Sequence, residues 1–344
     1  MMKNCRVSLL LIVYFVLQSV YPMFTNLINS IAYAESYRKE NIEFESENYN
    51  DFREILMKKP TSTVKLNSTL SFPDEAKEKY PAIVLLHSHG GYQETCEGWY
   101  ANSFRRAGFA VLTYESFGPR NITDAPTRSD LKLLSSVLSD AYHALRILSK
   151  YPKIEATKIA IAGFSFGGEV AHIAAFEPLR AAQVQGGLKF AAHLLFYPGL
   201  AWGIQAGVCN YTGSPILMLM GEKDDCSPPS KLRAYLEYLK SAGITTPIET
   251  IFYPQAYHGW GDSRYTPTKF RANLVSSSKC PFILFAPQSN KGLSMLEDGL
   301  VAPYDFKKFE TCRTKSRGYY NGFNEEIRKQ SFVDAGTFLR RVFE

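Results

Sequence analysis

Gly163-Phe164-Ser165-Phe166-Gly167 stands between an apolar run, Lys158 to Ala162, and an apolar stretch of helical character, Glu169 to Phe176. A strand that turns at once into a helix needs a sharp bend at the junction, and glycines on both sides of Ser165 let that bend close without clashes. Such a bend holds one serine on a strained backbone and lifts its hydroxyl out of the sheet into a cleft. The next glycine, Gly168, lets the helix lie close to neighbouring backbone. The five-residue pattern is weak alone and gains weight from its flanks and from the partners found further along the chain.

The surrounding pattern is that of an α/β protein. Val64, Leu66, Leu70 and Phe72 recur at even spacing, as in antiparallel strands with one buried face. Ala82 to Leu86 and Phe109 to Tyr114 are apolar nearly throughout, as strands covered on both faces are. A helix is expected over Trp99 to Ala107, ended by Gly108. Asp130 to Lys150 carries Leu134, Leu138, Ala141, Leu145 and Leu148 at three- and four-residue steps, an amphipathic helix. Strands His193 to Tyr197, Ile216 to Met220 and Ile248 to Tyr253, and helices Ser230 to Ala242 and Glu325 to Phe343, complete a mostly parallel twisted sheet with helices on both faces. Tyr37 to Asn50 is polar and acidic and is expected to form a leader over the surface.

In such sheets reacting groups gather at the carboxyl ends of strands, so partners for Ser165 should follow apolar runs. Ile216 to Met220 leads into Gly221-Glu222-Lys223-Asp224-Asp225, and Ile248 to Tyr253 leads into Pro254-Gln255-Ala256-Tyr257-His258. The chain order Ser165, Asp224, His258 is that of an α/β-hydrolase triad, with Asp225 the other carboxylate on the same loop. Two backbone N–H groups, of Phe166 after the nucleophile and of His89 in His87-Ser88-His89-Gly90-Gly91, are candidates for an oxyanion hole. His87 and His89 lack a third ligand at helpful spacing, so no metal is expected. No cofactor is required either. His143, His172 and His193 lie within helices or strands and are read as structural.

The first 34 residues have a basic start (Lys3, Arg6), an apolar core from Val7 to about Val20, and Ala32-Tyr33-Ala34 before Glu35. That is the pattern of a cleaved export signal, leaving residues 35–344 as one domain, secreted or periplasmic. Gln18, Pro22, Asn26 and Asn29 interrupt the run before it reaches the length of a spanning helix, so no stable membrane insertion is expected after cleavage. The net charge of +6 includes Lys3 and Arg6 and is scattered, which gives no case for nucleic acid. Export would put Cys96, Cys209, Cys226, Cys280 and Cys312 in an oxidising compartment, with at least one unpaired. A Cys280–Cys312 bridge would staple a polar segment of little regular pattern; buried free thiols are the other reading.

With these residues in hand, the chain resembles the dienelactone hydrolase family of α/β hydrolases. The likeness rests on Leu86 to Gly91, Ser116-Phe117-Gly118-Pro119-Arg120, Gly163 to Gly168, Gly221 to Asp225 and Tyr253 to His258. It implies ester hydrolysis on an α/β-hydrolase fold. Dienelactone hydrolases proper use a cysteine nucleophile, whereas this elbow holds Ser165, which needs its histidine more. A second departure is an insert at about 261–322, whose aromatics Tyr265, Phe270, Phe282, Phe285, Tyr304, Phe306 and Phe309 either cover the cleft as a lid or pack onto the sheet, with packing favoured. Glu115 and Arg120 border the expected site; for Arg120 a salt bridge holding the loop is favoured over a substrate carboxylate.

The leading expectation is therefore an exported serine hydrolase cleaving a small or medium carboxylic ester through an acyl-enzyme. A peptidase of the same fold is second, although such enzymes usually carry a further gating or propeller domain, for which the stretch between Ala34 and Ala82 is too short. A non-catalytic exported binding protein is third; nothing in binding requires Ser165, Asp224 and His258 together.

Overall fold

Runs that are apolar at every position can be buried only under cover on both faces, and here they form the middle of an eight-stranded sheet. The structure, a computed structural model, describes residues 38–344 apart from 124, 126–130, 277, 288–292, 296–300, 304–308, 310 and 313–314. The export signal expected over 1–34, with Cys5, and the expectations for Tyr37, Asp130, Tyr304 and Phe306 lie outside the described residues. The chain divides into Met1–Arg38 and Lys39–Glu344, and everything below concerns the second unit.

In chain order the strands are β1 (Lys39–Asn48), β2 (Ser62–Ser71), β3 (Tyr80–Leu86), β4 (Ala110–Tyr114), β5 (Ile154–Phe164), β6 (Ala192–Phe196), β7 (Trp202–Ile204), β8 (Ile216–Gly221) and β9 (Ile248–Tyr253). The helices are α1 (Phe52–Leu56), α2 (Trp99–Arg106), α3 (Leu131–Lys150), α4 (Phe166–Ile173), α5 (Glu177–Gln183), α6 (Pro229–Ser241) and α7 (Glu325–Phe343). The main sheet runs β1-β2-β4-β3-β5-β6-β8-β9. From β4 to β9 every neighbouring pair is parallel, while β1 and β2 are added antiparallel at one edge.

Alternation divides the core into two layers. Val84, Leu86, Ile159, Ile161 and Met218 face Leu134, Leu138 and Leu145 of α3. Ile83, Leu85, Ala160, Ala162 and Leu217 face Tyr100 and Phe104 of α2 and Phe338 and Leu339 of α7. This two-sided burial holds β5 in the middle of the sheet, with Ser165 immediately past its end.

The acidic stretch expected to form a surface leader is instead a strand: β1 pairs with β2 over its whole length. The reason is a period of two. Phe44 and Ser46 are buried while Glu43 and Glu45 face solvent, and the exposed acids also suit an edge strand. Ser46 Oγ donates to Asp140 Oδ1 of α3 at 2.5 Å. The same buried carboxylate takes two guanidinium bonds from Arg120, at 2.8 and 2.7 Å, and one from Ser116 Oγ at 2.8 Å. Arg120 is thus committed to locking the loop after β4 onto α3.

The 261–322 segment contributes β10 (Lys269–Phe270), β11 (Phe282–Phe285), β12 (Leu293–Met295), β13 (Val301–Pro303) and β14 (Tyr320–Asn321). The strands β13-β12-β11-β7 form a second sheet, with β11 parallel to β7. Phe282, Phe285 and Phe309 are buried in the larger core layer, Phe270 is exposed, and Tyr265 faces the cleft. Packing dominates among these, while Tyr265, with Tyr319 later in the segment, contributes to the cleft wall. Cys280 and Cys312 are disulfide-bonded, whereas Cys96, Cys209 and Cys226 are buried free thiols.

The bridge closes a sequence separation of 32 residues, worth about 3 to 4 kcal/mol in the chain-entropy account. A Cys280→Ser/Cys312→Ser variant should therefore melt several degrees below wild type by calorimetry; an unchanged Tm would contradict a stabilising role.

Candidate active site

The turn out of β5 is held by close approach. A Cβ on Gly163 would collide with the Gly167 carbonyl, and one on Gly167 would stand 2.6 Å from His87 O and 2.7 Å from Leu86 O. Ser165 itself sits at φ 53 and ψ −111, a region that costs a non-glycine residue on the order of 1–3 kcal/mol. Hydrogen bonds over-determine it. Ser165 N donates to Phe196 O at 2.9 Å, and Ser165 O accepts from Glu169 N at 2.9 Å and Gly199 N at 3.0 Å.

The bend aims Ser165 Oγ at His258, with Nε2 at 2.7 Å. On the other side of the ring, Nδ1 lies 2.8 Å from Asp224 Oδ2. Asp224 Oδ1 accepts from the backbone N–H of Cys226 and of Ser227, each at 2.9 Å, so the buried carboxylate is satisfied at both oxygens. The three residues come from the ends of β5, β8 and β9, which are separated in the sheet only by β6. Asp225, the other carboxylate on that loop, faces elsewhere: its Oδ1 accepts from Tyr320 N at 2.9 Å.

Sequence reasoning missed the residues that hold the imidazole. Tyr197 was expected to end a strand. It lies past β6 at φ 36, with its ring edge-to-face on His258 at 5.2 Å and its hydroxyl 3.3 Å from Cys96 Sγ. Tyr319 packs against the imidazole in the same manner, at 5.1 Å. The Pro198-Gly199 pair directly after Tyr197 was the available signal that the strand ends there; nothing in the pattern singled out Tyr319.

The loop after β3 forms the facing wall. The rings of His89 and Phe166 stack at 4.3 Å, which brings the two oxyanion-hole candidates side by side at the amino end of α4. Gly91 adopts φ 74, a turn that suits glycine. Beneath this loop Glu97 is fully buried and accepts from Ser88 N at 2.9 Å and Gln93 N at 3.0 Å. Burial pushes its pKa above the usual carboxylate range, although these N–H donors oppose the shift.

His87 turns away from the cleft. Its Nδ1 lies 2.7 Å from Ser88 O, and its Nε2 is 3.0 Å from Ser116 N and 3.1 Å from Glu115 Oε1. The neutral ring accepts the Ser116 amide, and the charged ring donates to Glu115. Burial opposes protonation of His87, but Glu115 and the Ser88 carbonyl outweigh it and its pKa is raised. His172 and His193 are buried with pKa values lowered to about 3 and about 4, foremost by desolvation, and neither borders the cleft. His143 leans on Arg146, which accords with a structural role. Among the described residues no three His, Cys, Asp or Glu side chains gather as a metal site would need.

Ser165 and His258 open into a cavity of about 410 Å³. Its walls include His89, Tyr197, Tyr265, Arg271 and Tyr319. Arg264 at the rim is held by Asp262, with Nη2 to Oδ2 at 2.6 Å. The guanidinium of Arg271 lies over the Tyr265 ring at 5.6 Å. Charge and aromatic surface therefore meet in a cleft large enough for a small ligand.

The family model for the dienelactone hydrolase family matches residues 66–273. Among solved structures, a dienelactone hydrolase-like promiscuous phosphotriesterase, P91, from metagenomic libraries is similar with a TM-score of 0.50 at 13% identity, over 88% of this chain and 98% of that one. The apo form of Thermogutta terrifontis esterase 2 is similar with a TM-score of 0.46 at 20% identity, over 58% of this chain and 82% of that one. No curated protein matches the chain.

Glu115 offers a test of the loop electrostatics. Burial alone would raise its pKa, but His87 and the N–H groups of Gly118 and Phe117 outweigh that and bring it down to about 2. A carboxylate depressed in the folded state stabilises above its unfolded pKa and loses that stabilisation as pH falls towards the folded one. The Tm difference between wild type and Glu115→Gln should be largest near neutrality and shrink between about pH 4.5 and pH 2. A difference independent of pH would contradict this assignment.

Proposed function

The chain belongs to the dienelactone hydrolase family, and we propose that it is an exported serine hydrolase that cleaves a small or medium carboxylic ester through an acyl-enzyme. The observation that carries this reading is the unbroken line from Ser165 Oγ through His258 to Asp224, with both links at 2.7–2.8 Å. Ser165 attacks the acyl carbonyl as His258 Nε2 takes its proton. His258 Nδ1–H donates to Asp224, which fixes the tautomer and stabilises the imidazolium. The Phe166 and His89 N–H groups receive the oxyanion, aided by the positive end of the α4 dipole. His258 then returns its proton to the leaving alcohol, and water repeats the cycle to release the acid.

A serine nucleophile is inert without its base, and this elbow supplies one within a hydrogen bond, which supports general ester hydrolysis over thiolate chemistry. The cleft of about 410 Å³, walled by charged and aromatic side chains, suits a small or medium substrate. Export is supported by the basic, apolar and Ala-x-Ala order of residues 1–34 and by the Cys280–Cys312 bridge, which persists most readily in an oxidising compartment.

Hydrolysis of a short-chain chromogenic ester tests the reading. Ser165→Ala and His258→Ala should lower kcat by about 10⁴-fold or more and Asp224→Asn by about 10⁴-fold, with folding retained. A wild type inert towards short and medium acyl chains and towards a fluorophosphonate would remove the hydrolase reading in favour of a binding protein. A mature chain whose mass begins at Glu35 is expected from an exporting host; an intact Met1 start would contradict signal cleavage.

A further inference from the structure

Four consecutive residues, 319–322, touch both loops that carry the proposed acid and base. Tyr320 N donates to Asp225 Oδ1 at 2.9 Å, one residue beyond Asp224. Asn321 Nδ2 and Gly322 N both donate to the carbonyl of His258, at 3.3 and 3.2 Å. Asn321 and His258 also form an isolated parallel β-bridge, and the Tyr319 ring lies on the imidazole. Asn321 is 1% exposed, so these are interior contacts.

The segment is itself fixed at both ends. At its start Arg271 N donates to Tyr319 O at 2.9 Å, and within it β14 pairs with β10. Beyond it, Phe323 N donates to Tyr265 O at 3.0 Å and Asn324 N to Trp260 O at 3.1 Å, leading directly into α7. The chain thus crosses from the loop after β8 to the loop after β9 along one stretch of extended backbone. The direct backbone ties between those loops, Glu222 N to Tyr253 O and Lys223 N to Ala256 O, each at 3.0 Å, stop short of Asp224 and His258, which meet through side chains; residues 319–322 engage the chain at and beyond them.

We propose that residues 319–322 are a strap that secures the outer ends of the acid and base loops, with Asp225 as its anchor: a positioning residue that acts through Tyr320 and not on the imidazole. The inference rests on the hydrolase reading above. It gives the 261–322 segment a task beyond packing, since its last strand holds the catalytic base. It also gives the two adjacent aspartates separate tasks, Asp224 receiving the imidazole and Asp225 receiving the strap. What Asp225 supplies is a hydrogen-bond acceptor at one place, and an asparagine oxygen supplies the same.

The test compares wild type with Asp225→Ala, Asp225→Asn and Asn321→Ala. For each, kcat and KM on the chromogenic ester are measured beside the rate of Ser165 labelling by a small fluorophosphonate and the Tm. Labelling needs an activated serine but little of the substrate pocket. Asp225→Ala and Asn321→Ala should lose about tenfold in kcat and about tenfold in labelling rate, with KM within about twofold, as expected for the loss of one positioning hydrogen bond. Asp225→Asn should recover both rates to within about threefold of wild type. If Asp225→Asn is as impaired as Asp225→Ala, charge is what matters and the anchor role is overturned. Alanine variants that behave as wild type, or that raise KM without slowing labelling, overturn the strap. Should Asp225→Ala fail to fold, Asn321→Ala and the Asp225→Asn rates decide. A wild type that neither turns over nor labels instead overturns the parent reading, and the strap with it.

Discussion

The backbone at Ser165 can bend as it does only because no side chain stands at Gly163 or Gly167. Any Cβ at those two positions meets backbone carbonyl: that of Gly167 in one case, those of Leu86 and His87 in the other. The second contact has a wider consequence, because it seats the elbow against the end of β3 and so against the loop that runs through His89. Ser165, the amino end of α4 and the facing wall of the cleft are thereby seated on one another. The strain of Ser165 at φ 53 is offset by three backbone hydrogen bonds and by the core layers on either face of the sheet.

Around that point the chain arranges polar groups that burial would otherwise penalise. Asp140 receives Ser46, Ser116 and Arg120; Glu97 receives the amides of Ser88 and Gln93; Asp224 receives those of Cys226 and Ser227. Each buried carboxylate fixes a loop, and the loop that Glu97 holds lines the cleft through Ser88, His89 and Gly90. Arg120 illustrates the choice the fold has made: its guanidinium is occupied inside the protein, leaving Arg271, from the 261–322 segment, as a cation on the cleft wall.

Much of this was legible from pattern. The period of 3.6 in α3 and the length of α7, expected at Glu325 to Phe343 and found there, follow from apolar spacing that solvent and core enforce directly. Ser165, Asp224 and His258 could be picked out because each follows an apolar run, and parallel strands deliver their carboxyl ends to one edge of the sheet. What escaped were features carried by few residues. β1 was obscured because its acids outnumber its buried positions, though Phe44 and Ser46 alternate correctly. Tyr197 was absorbed into a strand because a single positive φ leaves no mark on composition. The strap at 319–322 contains a two-residue strand, too short for any period, and its partners on the acid and base loops lie more than 60 residues away, with Asn321 and His258 separated by 63.

The central claim is that Ser165 carries the acyl group between two half-reactions. Acid-quenching the protein during turnover of a slowly deacylating ester, followed by peptide mass mapping, examines that most directly. The account predicts an acyl adduct on Ser165 that forms in a burst and vanishes as substrate is exhausted. Sustained turnover with no adduct on Ser165, or an adduct on another residue that accounts for the burst, would contradict it.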